Sequence, residues 1–522
     1  MPAVVQLVLS PREAADERVY LPLAARKLGI REDRIALARI IHRSVDARSR
    51  NIKVNLGLEV FVDSEGKPAE IHFEYSDVTG RPSVIVVGAG PAGLFAALRL
   101  IELGFRPIVL ERGKDVSARK KDVARINRNG PVDPDSNYAF GEGGAGAFSD
   151  GKLFTRSKKR GDFRKILEVL HYHGAQEEIL YDAHPHIGTD RLPRVISALR
   201  ERVLSCGGQI FHSARVEDIF VKGGKVTGIA YNEGQRIEAC AVILAAGHSA
   251  RDIYELLVRK NIMLEPKAFA MGLRVEHPQA VIDRIQYHLP ERGEYLPAAA
   301  YSLVSQVGGR GVYSFCMCPG GFIVPAKTAA DEAVVNGMSP SERHSRFADS
   351  GIVTEVRLED FAHLAPQYGV LAGLQFQREL EQAAFARGGG RQIVPGQRLT
   401  DFISGKASRD LPAMSYHPGA VPTAFGQWLP EFLGKSLREG LTSFGEKMRG
   451  FVTGEAVLLG VESRTSSPVR IPRDSATLMH PQVEGLFPSA EGAGYAGGIV
   501  SAAMDGERCA EAAQRYMSEQ AL

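Results

Sequence analysis

Apolar residues in this chain fall into two rhythms. In Ile52–Val62 they alternate, with Val54, Leu56, Leu58 and Val60 on one face, as in a strand buried on one side. In Val84–Val87, Ile108–Leu110 and Ala241–Leu244 they run unbroken and β-branched, as in strands covered on both faces. The alternating strand joins a strand over Val4–Leu9, a helix over Glu13–Leu28 closed by Gly29, and a strand over Ala36–Ser44. Together they predict a small α+β domain over residues 1–80. Between the unbroken runs lie helical stretches over Lys114–Asn129, Asp162–His173 and Arg191–Cys206, which predicts a parallel sheet. Gln209–Phe211, Arg215–Val221 and Lys225–Tyr231 read as a meander turning at Gly223-Gly224. Beyond residue 265, strand-like segments (Tyr301–Gln306, Gly311–Cys318, Gly321–Val324, Ile352–Leu358) mix with helices over Leu371–Arg387 and Leu433–Arg449. Asn336–Ser350 reads as a loop, and the whole stretch predicts a second α+β body.

The first unbroken strand opens on Gly88-Ala89-Gly90-Pro91-Ala92-Gly93, a helix follows, and the next strand ends at Glu111. A lone G-x-G-x-x-G is a weak signal. Here the strand, the helix and an acid about 20 residues on are all present, which is the dinucleotide-binding arrangement. Gly88 allows the tight turn, Gly90 lets a pyrophosphate reach the backbone, and Gly93 lets helix and strand pack. The helix start offers unpaired N–H groups to the phosphates, and Glu111 is placed to accept from a ribose. Tyr138–Lys152 is rich in glycine yet holds Tyr138, Phe140 and Phe148, which favours a loop beside a cofactor over a mobile one.

Near the C-terminus a strand, an acid, a glycine loop and a helix start recur in Gly485–Ala503, without a second G-x-G-x-x-G. The chain therefore leaves the cofactor domain and returns to it, an order that points to FAD. The expected fold class is α/β: a Rossmann-like FAD-binding domain with an inserted α+β substrate domain and a small N-terminal α+β domain. The expected boundaries are 1–80, 81–265, 266–464 for the insertion, and 465–522 for the returning part.

Composition narrows the setting. A net charge of +3 over 522 residues argues neither for nor against nucleic acid or a membrane surface, and five cysteines form no disulfide framework. No stretch of about 20 apolar residues and no charged-then-apolar leader is seen, so a soluble cytoplasmic protein is expected. His171, His173, His184 and His186 form two His-x-His pairs, but no cysteine or carboxylate cluster supports a metal, and none is expected. Basic residues crowd the N-terminal domain (Arg39, His42, Arg43, Arg48, Arg50, Lys53). Without a stacking aromatic pair they read as a solvated face rather than an RNA contact.

These motifs resemble a family. Gly88–Gly93 with Glu111, Ala245-Ala246-Gly247 and Ala490-Glu491-Gly492 resemble FAD-dependent oxidoreductases of the glutathione-reductase-type fold, with one dinucleotide domain and an inserted substrate domain. Ser44–Arg48, Phe148–Lys152, Pro185–Asp190, Phe315–Gly321 and Glu462–Pro468 resemble, more narrowly, a bacterial family of FAD-dependent dehydrogenases with no assigned substrate. Ala348-Asp349-Ser350 departs from the Ala-Asn-Ser expected there. The resemblance implies that Gly88, Ala89, Gly90, Gly93, Glu111 and Arg112 surround the adenosine and pyrophosphate, with the Val216 backbone at the adenine. It implies Gly143, Gly144, Ala145, Gly146, Ala246, Gly247, Glu491, Gly492, Gly498 and Ile499 along the pyrophosphate, ribityl chain and ring. It supplies no catalytic base.

The leading functional expectation is hydride transfer between an organic small molecule and non-covalent FAD. Candidate catalytic residues are Lys152, His186, Arg464 and His417, with Arg464 suited to hold a substrate carboxylate. The alternatives are an RNA-modifying flavoenzyme and a non-catalytic flavin-binding redox sensor. With one nucleotide unit present, NAD(P)H is expected to dock only transiently; the oligomeric state stays open. Cys316 and Cys318 share a strand face, as a redox dithiol would. The extended spacing strains the limit of about 7 Å between Cα atoms for a disulfide, which favours two small packing cysteines.

Overall fold

The valine-rich run Ser83–Val87 lies at the middle of a five-stranded parallel sheet, ordered Leu486–Pro488, Val242–Leu244, Ser83–Val87, Arg106–Leu110, Gln209–Phe211. This is a computed structural model that describes residues 2–63, 70–154 and 161–520. The helix Pro91–Glu102 packs on one face of the sheet against the helix Ile499–Gln520, so tightly that a Cβ on Gly506 would lie 2.1 Å from the Ala92 carbonyl oxygen. Gln209–Phe211 follows the helix Leu192–Ser205 and completes a parallel crossover; it does not join the meander. The meander's third strand is instead Gln235–Glu238, beyond Val216–Lys222 and Lys225–Tyr231.

The chain departs from this sheet after Val242–Leu244 and re-enters it at Leu486–Pro488. Glu265–Pro266 on the way out pairs antiparallel with Val469–Arg470 on the way back. Between them an eight-stranded sheet is built around Phe269–Pro278, Phe347–Val356, Arg310–Pro325 and Val457–Glu462, covered by the helices Ala372–Gly388 and Glu431–Lys447. Leu437, Leu441 and Phe444 of the second helix are fully buried against it.

Two expectations fail in this body. Asn336–Ser350 is not one loop, because Val335–Met338 and Phe347–Val356 are strands on either side of it. Buried Asp349, Ser350 and Thr354 interrupt the apolar pattern of the second strand, and their polar groups bond inside the protein. Gly311–Cys318 and Gly321–Val324 are likewise one strand, whose register shifts at Phe315/Cys318 and Cys318/Gly321.

The N-terminal strands pair antiparallel in the order Ala3–Leu9, Lys53–Val62, Ile35–Asp46. Leu56, Leu58 and Val60 are fully buried beneath the helix Glu17–Leu28, which ends at left-handed Gly29 (φ 68°). The helix predicted over Glu13–Leu28 is split, since Asp16 caps a new start by accepting from the Arg18 N–H. Arg43 ties this sheet to the following body through Asp182, at 2.7 Å. Among the described residues, no helix is long and apolar enough to cross a membrane.

Candidate functional site

A cavity of about 320 Å³ opens where the Gly88–Gly90 turn, the Gly144–Lys152 loop, the Ala245–Ser249 strand end and the start of the helix Ile499–Gln520 converge. Two of its glycines answer different needs. At Gly88 (φ 101°) a Cβ would sit 2.5 Å from the Ala245 carbonyl oxygen, so the fold itself requires glycine. At Gly90 the nearest neighbour of a Cβ is Gly144 Cα at 3.8 Å, so the space there is free for a ligand. Gly90 caps the helix Pro91–Glu102 without a side-chain hydrogen bond, leaving first-turn N–H groups to an anion. The start of the second helix, at Gly498 and Ile499, lines the same cavity.

Glu111 is 5% exposed and accepts from the N–H groups of Ala89 (2.8 Å), Gly113 and Gly141 (both 2.9 Å). It thus pins three loops while keeping a cavity-facing edge for a hydroxyl. Arg112 stacks 4.0 Å over the Phe140 ring and pairs with Asp135 and Asp252. The glycine loop is held from behind by Arg119, fully buried, which donates to the carbonyls of Asn137, Tyr138, Gly141 and Glu142 at 2.8–3.1 Å. Burial pushes its guanidinium down to about 10. Arg119 is invisible in the sequence, where it is one cation in a polar helix.

Of the expected cofactor residues, Gly88, Gly90, Glu111, Arg112, Gly144, Ala145, Gly146, Val216, Ala246, Gly247, Glu491, Gly498 and Ile499 line the cavity. Ala89, Gly93, Gly143 and Gly492 stand behind its wall. A Cβ would reach the Gly88 carbonyl oxygen from Gly93, Ile196 from Gly143, and the Gly247 backbone from Gly492, so these three glycines serve packing.

The catalytic candidates fare unequally. Lys152 lines the cavity, with Nζ 3.3 Å from Asp150 Oδ2, 3.5 Å from Cys318 Sγ and 3.7 Å from Cys316 Sγ. Arg464 also lines it, but its guanidinium already serves Glu381, Glu332 and Thr328 at 2.7–3.1 Å, alongside Arg251. That corrects its expected role, because a cation held by two carboxylates has little left for a third. His186 stands outside the lining, its Nε2 bonded to the Ser341 carbonyl at 2.9 Å. His417 is exposed in the turn closed by Gly419 N–H on the Tyr416 carbonyl, away from the cavity.

The inserted body also contributes a wall, where Phe315, Cys316 and Asn336 face the cavity; of these, sequence reasoning singled out Cys316 and missed the parts of Phe315 and Asn336. Behind it lies fully buried Arg274. It donates to Asp349 Oδ1 (2.6 Å), to both Glu462 oxygens (3.0 Å) and to the Cys316 carbonyl (2.9 Å), and reaches Cys318 Sγ at 3.6 Å. Burial pushes Asp349 up to about 6 and Glu462 up to about 7. Glu276, one strand position from Arg274's neighbour, is pushed by burial to about 8 while accepting from Ser415. Asp349, the residue that departs from the family pattern, is therefore half of the ion pair under the two cysteines.

Comparison with known proteins agrees with the geometry. Residues 81–125 match the FAD binding domain family, residues 268–465 the family "FAD-dependent protein, C-terminal domain-like", and residues 1–61 a domain of unknown function. An uncharacterized protein of Clostridium beijerinckii is 42% identical over 509 residues, covering 93% of this chain and 94% of its own. The thiamine thiazole synthase of Thermotoga maritima is 25% identical over 247 residues (45% of this chain, 80% of that protein). A probable electron transfer flavoprotein-quinone oxidoreductase of Escherichia coli is 27% identical over 224 residues (42% and 49%). The glycine turn with free N–H groups, the acid at Glu111 and a cavity between two helix starts fit FAD, which is the cofactor. The chain belongs to a bacterial family of FAD-dependent oxidoreductases.

Proposed function

We propose that this flavoenzyme is a dehydrogenase of the cytoplasm, moving a hydride between a small organic substrate and non-covalently held FAD. One observation carries the reading: Lys152, Phe315, Cys316 and Asn336 wall the same cavity that Gly88–Gly90 opens. Polar groups from the inserted body thus meet the cofactor space. FAD, when bound, supplies a ring that takes or gives two electrons. The first-turn N–H groups after Gly90 oppose pyrophosphate charge, and Glu111 holds a ribose hydroxyl. Lys152 offers the positive charge nearest a substrate; the buried Asp150 and the two sulfurs hold its ammonium in the protonated form. Among the four catalytic candidates it is the one we retain for orienting an anionic substrate group and for holding a proton, at Nζ.

The RNA-modifying alternative loses support because Arg39, Arg43 and Arg48 are each paired with a carboxylate, at 2.6–2.7 Å. Reducing equivalents come from the substrate itself or from a nucleotide that docks briefly, since the FAD turn is the one nucleotide cradle read from the sequence. The test is anaerobic titration of the holoprotein with NADH, NADPH and the small molecules released from freshly purified protein on denaturation. Bleaching by a released organic molecule without tight nucleotide binding supports the reading. Micromolar nucleotide binding with prompt bleaching, or no bleaching by any donor, overturns it.

A further inference from the structure

Cys316 and Cys318 lie where neither packing nor the proposed hydride transfer requires a thiol. Cys318 is fully buried and donates from Sγ to the Cys316 carbonyl at 3.3 Å, and Cys316 is half-buried on the cavity wall. One ammonium, Lys152 Nζ, lies within 3.7 Å of both, and Arg274 Nη2 within 3.6 Å of the second. A pair of packing cysteines has no use for two cations. The backbone is also unusual: Cys316 has φ 47°, a left-handed conformation rare outside glycine, at the register shift between Phe315 and Cys318. This bulge re-aims the strand so that Cys316 reaches the cavity while Cys318 points at Arg274.

We propose that Cys316 and Cys318 form a second two-electron centre beside the FAD cavity, a dithiol that closes to a disulfide with Cys316 as the attacking thiolate and Lys152 as its counter-ion. In the oxidative direction the Cys318 S–H bond breaks and one S–S bond forms between that sulfur and the Cys316 thiolate. Two electrons and the one proton pass to oxidised FAD, which becomes the anionic two-electron-reduced form; the reverse reopens the disulfide. The charged groups facing the pair are Lys152, Asp150 and Arg343 on the loop side, and Arg274, Asp349 and Glu462 on the strand side. The neighbouring Cys318 thiol, then Lys152 and Arg274, hold the Cys316 thiol well below its ordinary range. A reactive thiol needs this electropositive and partly open setting. The tight ring formed by a one-residue spacing is strained, and strain makes a disulfide easy to reduce, which suits exchange and not structural cross-linking. This inference rests on FAD and is independent of the organic substrate.

Trapping tests it without any substitution. Holoprotein and apoprotein are equilibrated anaerobically in dithiothreitol buffers of rising oxidised fraction, acid-quenched, alkylated and digested. The peptide holding Cys316 and Cys318 is expected to pass from two alkyl groups to none, with a disulfide mass, while Cys206, Cys240 and Cys509 stay alkylatable. In dithionite titration the oxidised holoprotein should take about four electrons per flavin, against about two for Cys318→Ser. In Lys152→Met, the pH midpoint for Cys316 alkylation should rise by at least one unit, about a 10-fold loss of thiolate below it. Two free thiols across the whole buffer series, or a Cys316 alkylation profile at the ordinary thiol position in the unmodified protein, overturns the proposal.

Discussion

The two ends of the cavity are built by opposite means. At the Gly88–Gly90 end the ligand meets backbone, and the nearby side chains, Glu111 and Arg119, chiefly hold loops in shape. At the Cys316 end the wall is side chains, and what holds it is a buried charge cluster of Arg274, Asp349 and Glu462 with the cavity-lining Lys152 beside it. A backbone cradle needs only small residues at fixed spacing and is consistent with any ligand carrying a pyrophosphate. A charge cluster needs partners from several strands and is specific to its own chemistry. The general physics of a nucleotide cradle and the individual chemistry of a side-chain wall are thus separated within one cavity.

The comparison is open to attack at several points, in falling order of effect. If charge holds the far end, Arg274→Met strips the cation from two buried carboxylates and lowers stability by about 3–5 kcal/mol, read by denaturant melts with the nucleotide end as an internal reference. An unchanged midpoint would mean that Asp349 and Glu462 are neutral in the native protein.

If the near end is a backbone cradle, Gly90→Val weakens FAD by about 100-fold or more, near 2.7 kcal/mol, while the apoprotein melts as before. Gly93→Val is the contrasting arm. Its Cβ would fall 1.8 Å from the Gly88 carbonyl oxygen, so it should lose the fold along with the cofactor. Normal flavin content in Gly90→Val would remove the reading of that turn.

The third effect is a pH dependence. Glu276 has its native value raised to about 8 by burial, above the ordinary carboxylate value it has when unfolded. The native state then holds a proton that the unfolded state releases, so stability is fully present below about pH 4 and declines as pH rises towards 8. Glu276→Gln should match the parent near pH 5 and exceed it by a few kcal/mol near pH 8. Parallel stability curves for the two proteins would count against a buried proton there.

The smallest effect lies at the N-terminal sheet. Arg43→Ala removes a partly exposed ion pair to Asp182 and should cost about 0.2–1 kcal/mol, leaving flavin content untouched. A larger loss would indicate that the sheet is docked mainly through this contact.

What could be read in the sequence follows the same division. Gly88, Gly90, Glu111 and Gly498 are legible because turn, strand and helix start are contiguous, and local spacing carries the meaning. Arg274 is not, and although Lys152 and Cys316 stand out one at a time, their meeting does not, since three separate segments bring the three together and no spacing records it. Cys316 carries a further disguise: strand alternation predicts a face, but the bulge at Phe315/Cys318 and its positive φ change it. Arg464 looked available because its neighbours are serines and threonines; its carboxylates, Glu332 and Glu381, lie far away in the chain. His417 had only its residue type to recommend it, and it is exposed.

The interrupted parallel sheet has a consequence for the order of events during synthesis. Leu486–Pro488 pairs with Val242–Leu244, and the start of Ile499–Gln520 closes the cavity beside Pro91. A ribosome adding about 5–20 residues per second takes tens of seconds to travel between the two halves of that pairing. Through that interval the strand edge at Val242–Leu244 is without its neighbour and the phosphate cradle lacks its second helix. The complete flavin cradle therefore forms only once the helix Ile499–Gln520 has been made, and before that point a chain has a finished insertion and an open nucleotide half.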